Sequence, residues 1–167
     1  MSVISIAIGS NQGNRELHIG QALESISNQI GMLQQCSPFY ENKAQGFDTQ
    51  ELFLNGCIAV ETKLDAHQVM AVLKEIESQL GRLKGDGQGY TSRPIDLDII
   101  LFENSIIQQQ DLHIPHPRFR ERIFVLKPLS DIQPHAIDPI SSKSISELLS
   151  DCTDKSVLTL HELKDYH

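Results

Sequence analysis

The stretch RPIDLDII, residues 93–100, fixes the last strand of the fold and poses its central chemical question. Pro94, Ile95, Leu97, Ile99 and Ile100 are apolar, and the β-branched isoleucines favour a strand running over 95–102. Asp96 and Asp98 interrupt that run two residues apart. Side chains at i and i+2 of a strand share a face, so the two carboxylates point the same way. Like charges held together in an apolar setting repel and lose hydration. A divalent cation removes that penalty, and Mg²⁺ binds through one or two carboxylates plus substrate phosphates. The alternative is a solvated edge strand paired to lysines, which the flanking Ile95, Leu97 and Ile99 oppose by burying the other face.

Working outward, the elements before this strand fall into a regular order. VISIAI at 3–8 forms a first strand, and GSNQGN turns the chain. Asn14 caps a helix with the stripe Ile19, Ala22, Leu23, Ile26 and Ile30, stopped at Gly31. A second strand over 32–42 carries Pro38, which puts it at an edge or a bulge. In the third strand, 52–62, Leu54, Ile58 and Val60 share one face while Phe53, Asn55, Cys57 and Ala59 share the other. Asp65 and Gln68 form a capping box for a helix with the stripe Ala66, Val69, Met70, Leu73, Ile76 and Leu80, ended by Gly81. The glycine-rich segment 82–92 predicts a mobile loop. The order is βαββαβ, the ferredoxin-like α+β pattern: an antiparallel sheet with both helices on one face and the other face open to a ligand. A loop and helix extension follows at the C-terminus. Without repeats or linkers, residues 1–167 form a single domain.

Composition narrows the function classes. The net charge of −8 argues against a nucleic-acid partner. Of 14 Lys and Arg residues, seven (Arg82, Lys84, Arg93, Arg118, Arg120, Arg122 and Lys127) surround the aspartate pair, which suits a small anionic ligand. Guanidinium groups grip phosphates bidentately, while a solubilising surface is the other reading, evenly weighed for Arg118 and Arg120. The N-terminal apolar run is too short for a signal or membrane helix, and the three cysteines show no CxxC spacing. A reduced cytoplasmic setting, with no membrane partner, is the expectation.

Three further features carry chemistry. Glu77 sits at the edge of an apolar stripe near a helix C-terminus, where negative charge is disfavoured unless it is used or paired to Lys74. Phe53 shares its face with Asn55, and a ring beside an amide can read a flat heterocycle; Phe124 is a second candidate ring, although either can be simple core. His113 and His116 flank a proline, which opposes the helix a zinc pair would use, so one polar contact to a nucleotide suits the pair better than a metal.

These residues together resemble the 6-hydroxymethyl-7,8-dihydropterin pyrophosphokinase family. The resemblance rests on Arg93, Asp96, Leu97, Asp98 and Ile99, with IAIGSN at 6–11, FLN at 53–55, Ile76-Glu77 with Gly81-Arg82, and IPHPR through Arg122 in the same order. It covers the chain to about residue 139. The resemblance implies transfer of pyrophosphate from ATP, as co-substrate, to the pterin hydroxymethyl group in folate biosynthesis, with release of AMP. It implies that Asp96 and Asp98 bind two Mg²⁺ ions and act with Arg82 and Arg93 in catalysis. Glu77, Arg82, Lys84, Arg93, Ile99, His116 and Arg122 would contact ATP, and Phe53, Asn55 and Phe124 the pterin. A monomer is expected. The chain departs from the family pattern at Tyr90-Thr91-Ser92, where Gly-Pro after a Trp is common, at Lys84, and at Phe53, where Tyr is common. Two rivals remain: a nucleotidyltransferase, opposed by the 86 residues between Ser10 and Asp96, and a non-catalytic ligand-sensing module.

Overall fold

Three sequence signals set the scaffold of the computed structural model, which describes residues 1–43, 52–81 and 94–162. The first is the isoleucine alternation of β1 (Ser2–Ser10), which sends Ile4, Ile6 and Ile8 into one core while Ser5, Ala7 and Gly9 face the other way. The second is the cap at Asn14, whose side chain accepts from the Leu17 amide and starts α1 (Arg15–Gln29). The third is the Asp65–Gln68 capping box that starts α2 (Ala66–Gln79); the helix ends at Gly81, with φ of +102°. The expected stripes, from Ile19 to Ile30 and from Ala66 to Leu80, pack against the isoleucines of β1.

β4 (Leu52–Thr62) is the central partner. It pairs antiparallel with β1 from Ser2↔Thr62 to Ser10↔Leu54. The expected second strand is two. β2 (Gly31–Cys36) and β3 (Phe39–Lys43) lie end to end along β4, separated at Ser37-Pro38. Pro38 has no amide to donate, and Ser37 bridges the gap: its N–H donates to Cys57 O at 2.9 Å and its Oγ accepts from the Cys57 amide at 2.9 Å. Gly31 follows the helix end at Ile30, as expected, and has a second role. A Cβ there would lie 2.0 Å from Glu61 O, so only glycine lets β2 begin against β4 directly after the helix.

β5 (Asp96–Phe102) joins the free edge of β1, giving the order β5-β1-β4-β3 with β2 beside β4, the ferredoxin-like arrangement expected. The register shifts between Ser5 and Ile6, which pair with Leu101 and Ile99 and leave Ile100 as the extra residue. Leu97 and Ile99 therefore enter the helix-side core with Phe102, while Ile100 and Leu101 both enter a second core on the opposite face.

That second core corrects the expectation of an open face. Past the hairpin β6 (Ile107–Gln109) and β7 (Leu112–Ile114), a single 3-10 turn at Phe119–Glu121 leads to α3 (Ile123–Ile132) and α4 (Ile145–Asp151). α3 lies on the face carrying Cys57, whose thiol donates to Val125 O at 3.6 Å; Phe119, Val125, Leu126 and Leu129 are buried there. Tyr40 OH donates to Asp131 and Ser5 Oγ to Gln133, tying α3 to β3 and β1. The apolar tail gains burial by covering part of the sheet, leaving the end with the aspartates for the site. β8 (Thr159–His161) adds to the outer edge of β3. None of the three cysteines is in a disulfide.

Candidate active site

The pairing register brings Asp96, Gly9, Asn55 and Tyr40 into one row across four strands, and Asp98, Ala7 and Cys57 into the next. Phe53 lies opposite Asn42 on the same face. The carboxylates, the ring and the amide expected to act together thus share one face at one end of the sheet. Gly9 sits between Asp96 and Asn55 for a steric reason: a Cβ there would come within 2.7 Å of Asn55 Oδ1. Asn55 is buried, and its Nδ2 donates to Asn42 Oδ1 at 2.5 Å, which fixes the amide over the glycine. Asn42 did not stand out in the sequence, and Gly9 did so only as part of IAIGSN, because the amide reaches both through strand pairing rather than through local spacing.

Asp96 and Asp98 are half-buried on that face. Their oxygens are hard donors at i and i+2, a set that fits Mg²⁺ shared with phosphate oxygens. Glu77 is buried, not paired at the surface with Lys74: its Oε2 accepts from the Leu97 amide at 2.8 Å. That bond satisfies an N–H on the outer edge of β5, between the two aspartates, and explains a carboxylate at the end of α2. The Ile99 side chain lies in the helix-side core, so a ligand would meet this residue through its backbone.

The β7–α3 connection approaches from the other side. His116 donates its amide to Ile100 O at 3.0 Å, fastening the turn to β5 two residues beyond Asp98. Its Nδ1 accepts from the Arg118 amide at 3.1 Å. Burial, followed by the nearby Arg122 charge, outweighs the pull of Asp96 and holds the His116 imidazole down at about 4. At neutral pH the ring is therefore uncharged, with its proton on Nε2, a donor available to a ligand oxygen or nitrogen. Arg122 leads into the first turn of α3, and its guanidinium carbon lies 5.7 Å from the centre of the Phe124 ring.

The structure also separates the three arginines of this segment. Arg120 is not a phosphate ligand in waiting: it forms a bidentate bridge to Asp138, with Nε–Oδ2 at 2.6 Å and Nη2–Oδ1 at 2.8 Å. Sequence reasoning missed Asp138, which lies 18 residues from Arg120 and carries only the turn signal of the following Pro139. Arg82, Lys84 and Arg93, with the glycine-rich loop and Tyr90-Thr91-Ser92, lie outside the described residues. Among the described residues, no three His, Cys, Asp or Glu side chains form a metal cluster by themselves, and no helix is long and apolar enough to cross a membrane.

Comparison with known proteins bears on the fold and the family. The sequence model described as 7,8-dihydro-6-hydroxymethylpterin-pyrophosphokinase (HPPK) matches residues 5–134. A 2-amino-4-hydroxy-6-hydroxymethyldihydropteridine pyrophosphokinase of Porphyromonas gingivalis is 37% identical over 138 residues, covering 80% of this chain and 92% of its own length. One from Aquifex aeolicus is 33% identical over 155 residues, 93% of this chain and 95% of its own. Among solved structures, wild-type HPPK-DHPS of Plasmodium falciparum superposes with a TM-score of 0.72 at 16% identity over 90% of this chain. The chain spans 44% of that protein's length, and at this identity the likeness speaks to the fold alone. With 130 matched residues (5–134) and curated relatives above 30% identity over most of both chains, this chain belongs to the HPPK family.

Proposed function

We propose that the chain transfers the terminal pyrophosphoryl group of ATP to the hydroxymethyl group of 6-hydroxymethyl-7,8-dihydropterin, as an ATP-dependent pyrophosphokinase of folate biosynthesis. The pterin oxygen attacks the β-phosphorus, the bond from that phosphorus to the α,β-bridging oxygen breaks, AMP leaves, and the hydroxyl proton is lost. The Asp96–Gly9–Asn55 row is the observation that carries this reading. In this row a carboxylate suited to a cation and an amide suited to a heterocycle edge flank β1 on either side, with only glycine, and no side chain, between them.

Asp96 and Asp98 would hold two Mg²⁺ ions, which when bound would supply charge neutralisation to the triphosphate. Asn55 hydrogen-bonds the pterin edge while Phe53 and Phe124 stack on its faces. His116 donates from Nε2 to the nucleotide, Arg122 balances phosphate charge, and Glu77 with the Ile99 backbone completes the nucleotide side. Arg82, Lys84 and Arg93 grip the phosphates, and Arg82 and Arg93 stabilise the charge that spreads in the transition state. The enzyme works as a single-domain cytoplasmic monomer, without nucleic acid or membrane.

The test is Asp98→Ala. Turnover of ATP with the pterin should fall at least 1,000-fold (roughly 4 kcal/mol in barrier height) with an unchanged circular-dichroism spectrum. Turnover within tenfold of the parent would refute the metal assignment.

A further inference from the structure

Asp138 carries a buried charge bridged to Arg120. Asp138 has no solvent exposure. Its carboxylate accepts five hydrogen bonds: two from Arg120, one from the Ser141 hydroxyl at 2.6 Å, and two from the amides of Ile140 and Ser141 at 3.1 and 3.4 Å. Burial alone would raise this carboxyl, but the bonds from Arg120 and Ser141 prevail and hold it at about 2. Its own backbone is locked as well, with its N–H donating to Lys143 O at 2.9 Å and its carbonyl accepting from Ser142 at 2.8 Å. The α3–α4 connection is thus a rigid base on which Arg120 is held.

What Arg120 carries is the segment between His116 and Arg122. That segment has one 3-10 turn, closed by Glu121 N to Arg118 O and Arg122 N to Phe119 O. A single turn of this kind is a weak support. It is anchored instead by two adjacent side chains: Phe119, fully buried in the second core, and Arg120, stacked 4.7 Å over that ring and bridged to Asp138. The turn is thus held at two adjacent points, Phe119 in the second core and Arg120 on the Asp138 carboxylate. His116 and Arg122 flank it. Fixing Arg120 also keeps a third mobile cation out of a segment that holds Arg118 and Arg122.

We infer that Asp138 is a positioning residue for the nucleotide side of the site, acting through Arg120 to set where His116 and Arg122 stand. The inference rests on the reading of His116 and Arg122 as nucleotide contacts. It assigns the larger effect to ATP: Asn55, Phe53 and Asn42 belong to β3 and β4, away from this clasp, and of the pterin contacts only Phe124 lies on the same segment.

Steady-state kinetics on the full chain test it with Asp138→Asn, Arg120→Ala, Arg120→Lys, the Arg120→Ala/Asp138→Ala pair and Arg122→Ala. Asp138→Asn and Arg120→Ala should each raise KM for ATP about tenfold while kcat and the pterin KM stay within twofold. Arg120→Lys should recover part of that loss, and the double variant should be no worse than the worse single variant, since both residues act as one unit. An ATP KM within twofold of the parent in folded Arg120→Ala overturns the inference. So does a parallel rise in both KM values, which marks a general structural role. If Asp138→Asn does not fold, Arg120→Ala and Arg120→Lys decide the matter by the same criteria. If Arg122→Ala leaves the ATP KM unchanged, the reading of the site has failed; if only Arg122→Ala raises it, this inference alone has failed.

Discussion

Gly9→Ala offers a clean separation of fold from function. The new Cβ would stand 2.7 Å from Asn55 Oδ1, and a comfortable carbon–oxygen contact is about 3.4 Å, so the amide must retreat by roughly 0.7 Å. The strand itself has little to lose. Gly9 is paired on both sides in regular register, and alanine in a strand is favoured over glycine by about 0.5–1 kcal/mol. The Asn55–Asn42 bond would weaken, costing about 1 kcal/mol, so the two effects nearly cancel. Binding has no such offset. A hydrogen bond of about 2.9 Å stretched by that retreat is no longer a hydrogen bond. Leaving a buried amide and its ligand partner unpaired costs about 1–3 kcal/mol, or roughly 10- to 100-fold in affinity. The expected result is a pterin KM raised in that range, an ATP KM within threefold, and a urea midpoint close to the parent's. A pterin KM within twofold of the parent would refute the assignment of Asn55 to the pterin edge. A collapse in stability would show that the glycine serves the sheet and not the site.

Other expectations follow from single contacts. Glu77→Ala strands the Leu97 amide in a buried edge and should cost about 1–3 kcal/mol in urea denaturation, while Glu77→Gln, which keeps an acceptor, should cost less than half of that; equal losses would contradict the role of that bond. In NMR titration the His116 ring should remain neutral down to about pH 4, and a transition near 6.5 would contradict its burial beside Arg122. Because the folded state holds this histidine below its unfolded value, the unfolded chain binds the extra proton between about 4 and 6.5, and His116 lowers stability as the pH falls through that window. Asp138 has the opposite history but the same sign: its carboxyl is depressed from 3.8 to about 2, so its contribution is complete above about 4 and is lost as the pH falls toward 2. Asp138→Asn should therefore flatten the acid limb of the stability curve, and an unchanged limb would refute the bridge.

Strands and helices with strong local periodicity were legible from sequence, and so was the face of the residues that keep the alternation. β5 is the best case: alternation alone put Asp96 and Asp98 on one face, and the register shows that this face carries Asn55. The capping box at Asp65 and the helix end at Gly81 were equally local. The break at Ser37-Pro38 was only half visible, since proline marks a disturbance but not the Ser37–Cys57 bonds that heal it. The covering of the second face by α3 was not legible. An amphipathic helix states that it must bury a stripe, not against which surface, and the choice depends on Cys57, Ile100 and Leu101 arriving on that face. The bulge at Ile100 and the Arg120–Asp138 bridge were hidden for the same reason, because each exists only once distant segments meet.

The measurement that bears most directly on the central claim is the identity of the nucleotide product. Incubation of the chain with ATP, Mg²⁺ and 6-hydroxymethyl-7,8-dihydropterin, resolved by anion-exchange chromatography, should yield AMP and the pterin diphosphate in equal amounts. ADP with a pterin monophosphate would contradict attack at the β-phosphorus, and no nucleotide product at all would leave the fold without the chemistry assigned to it.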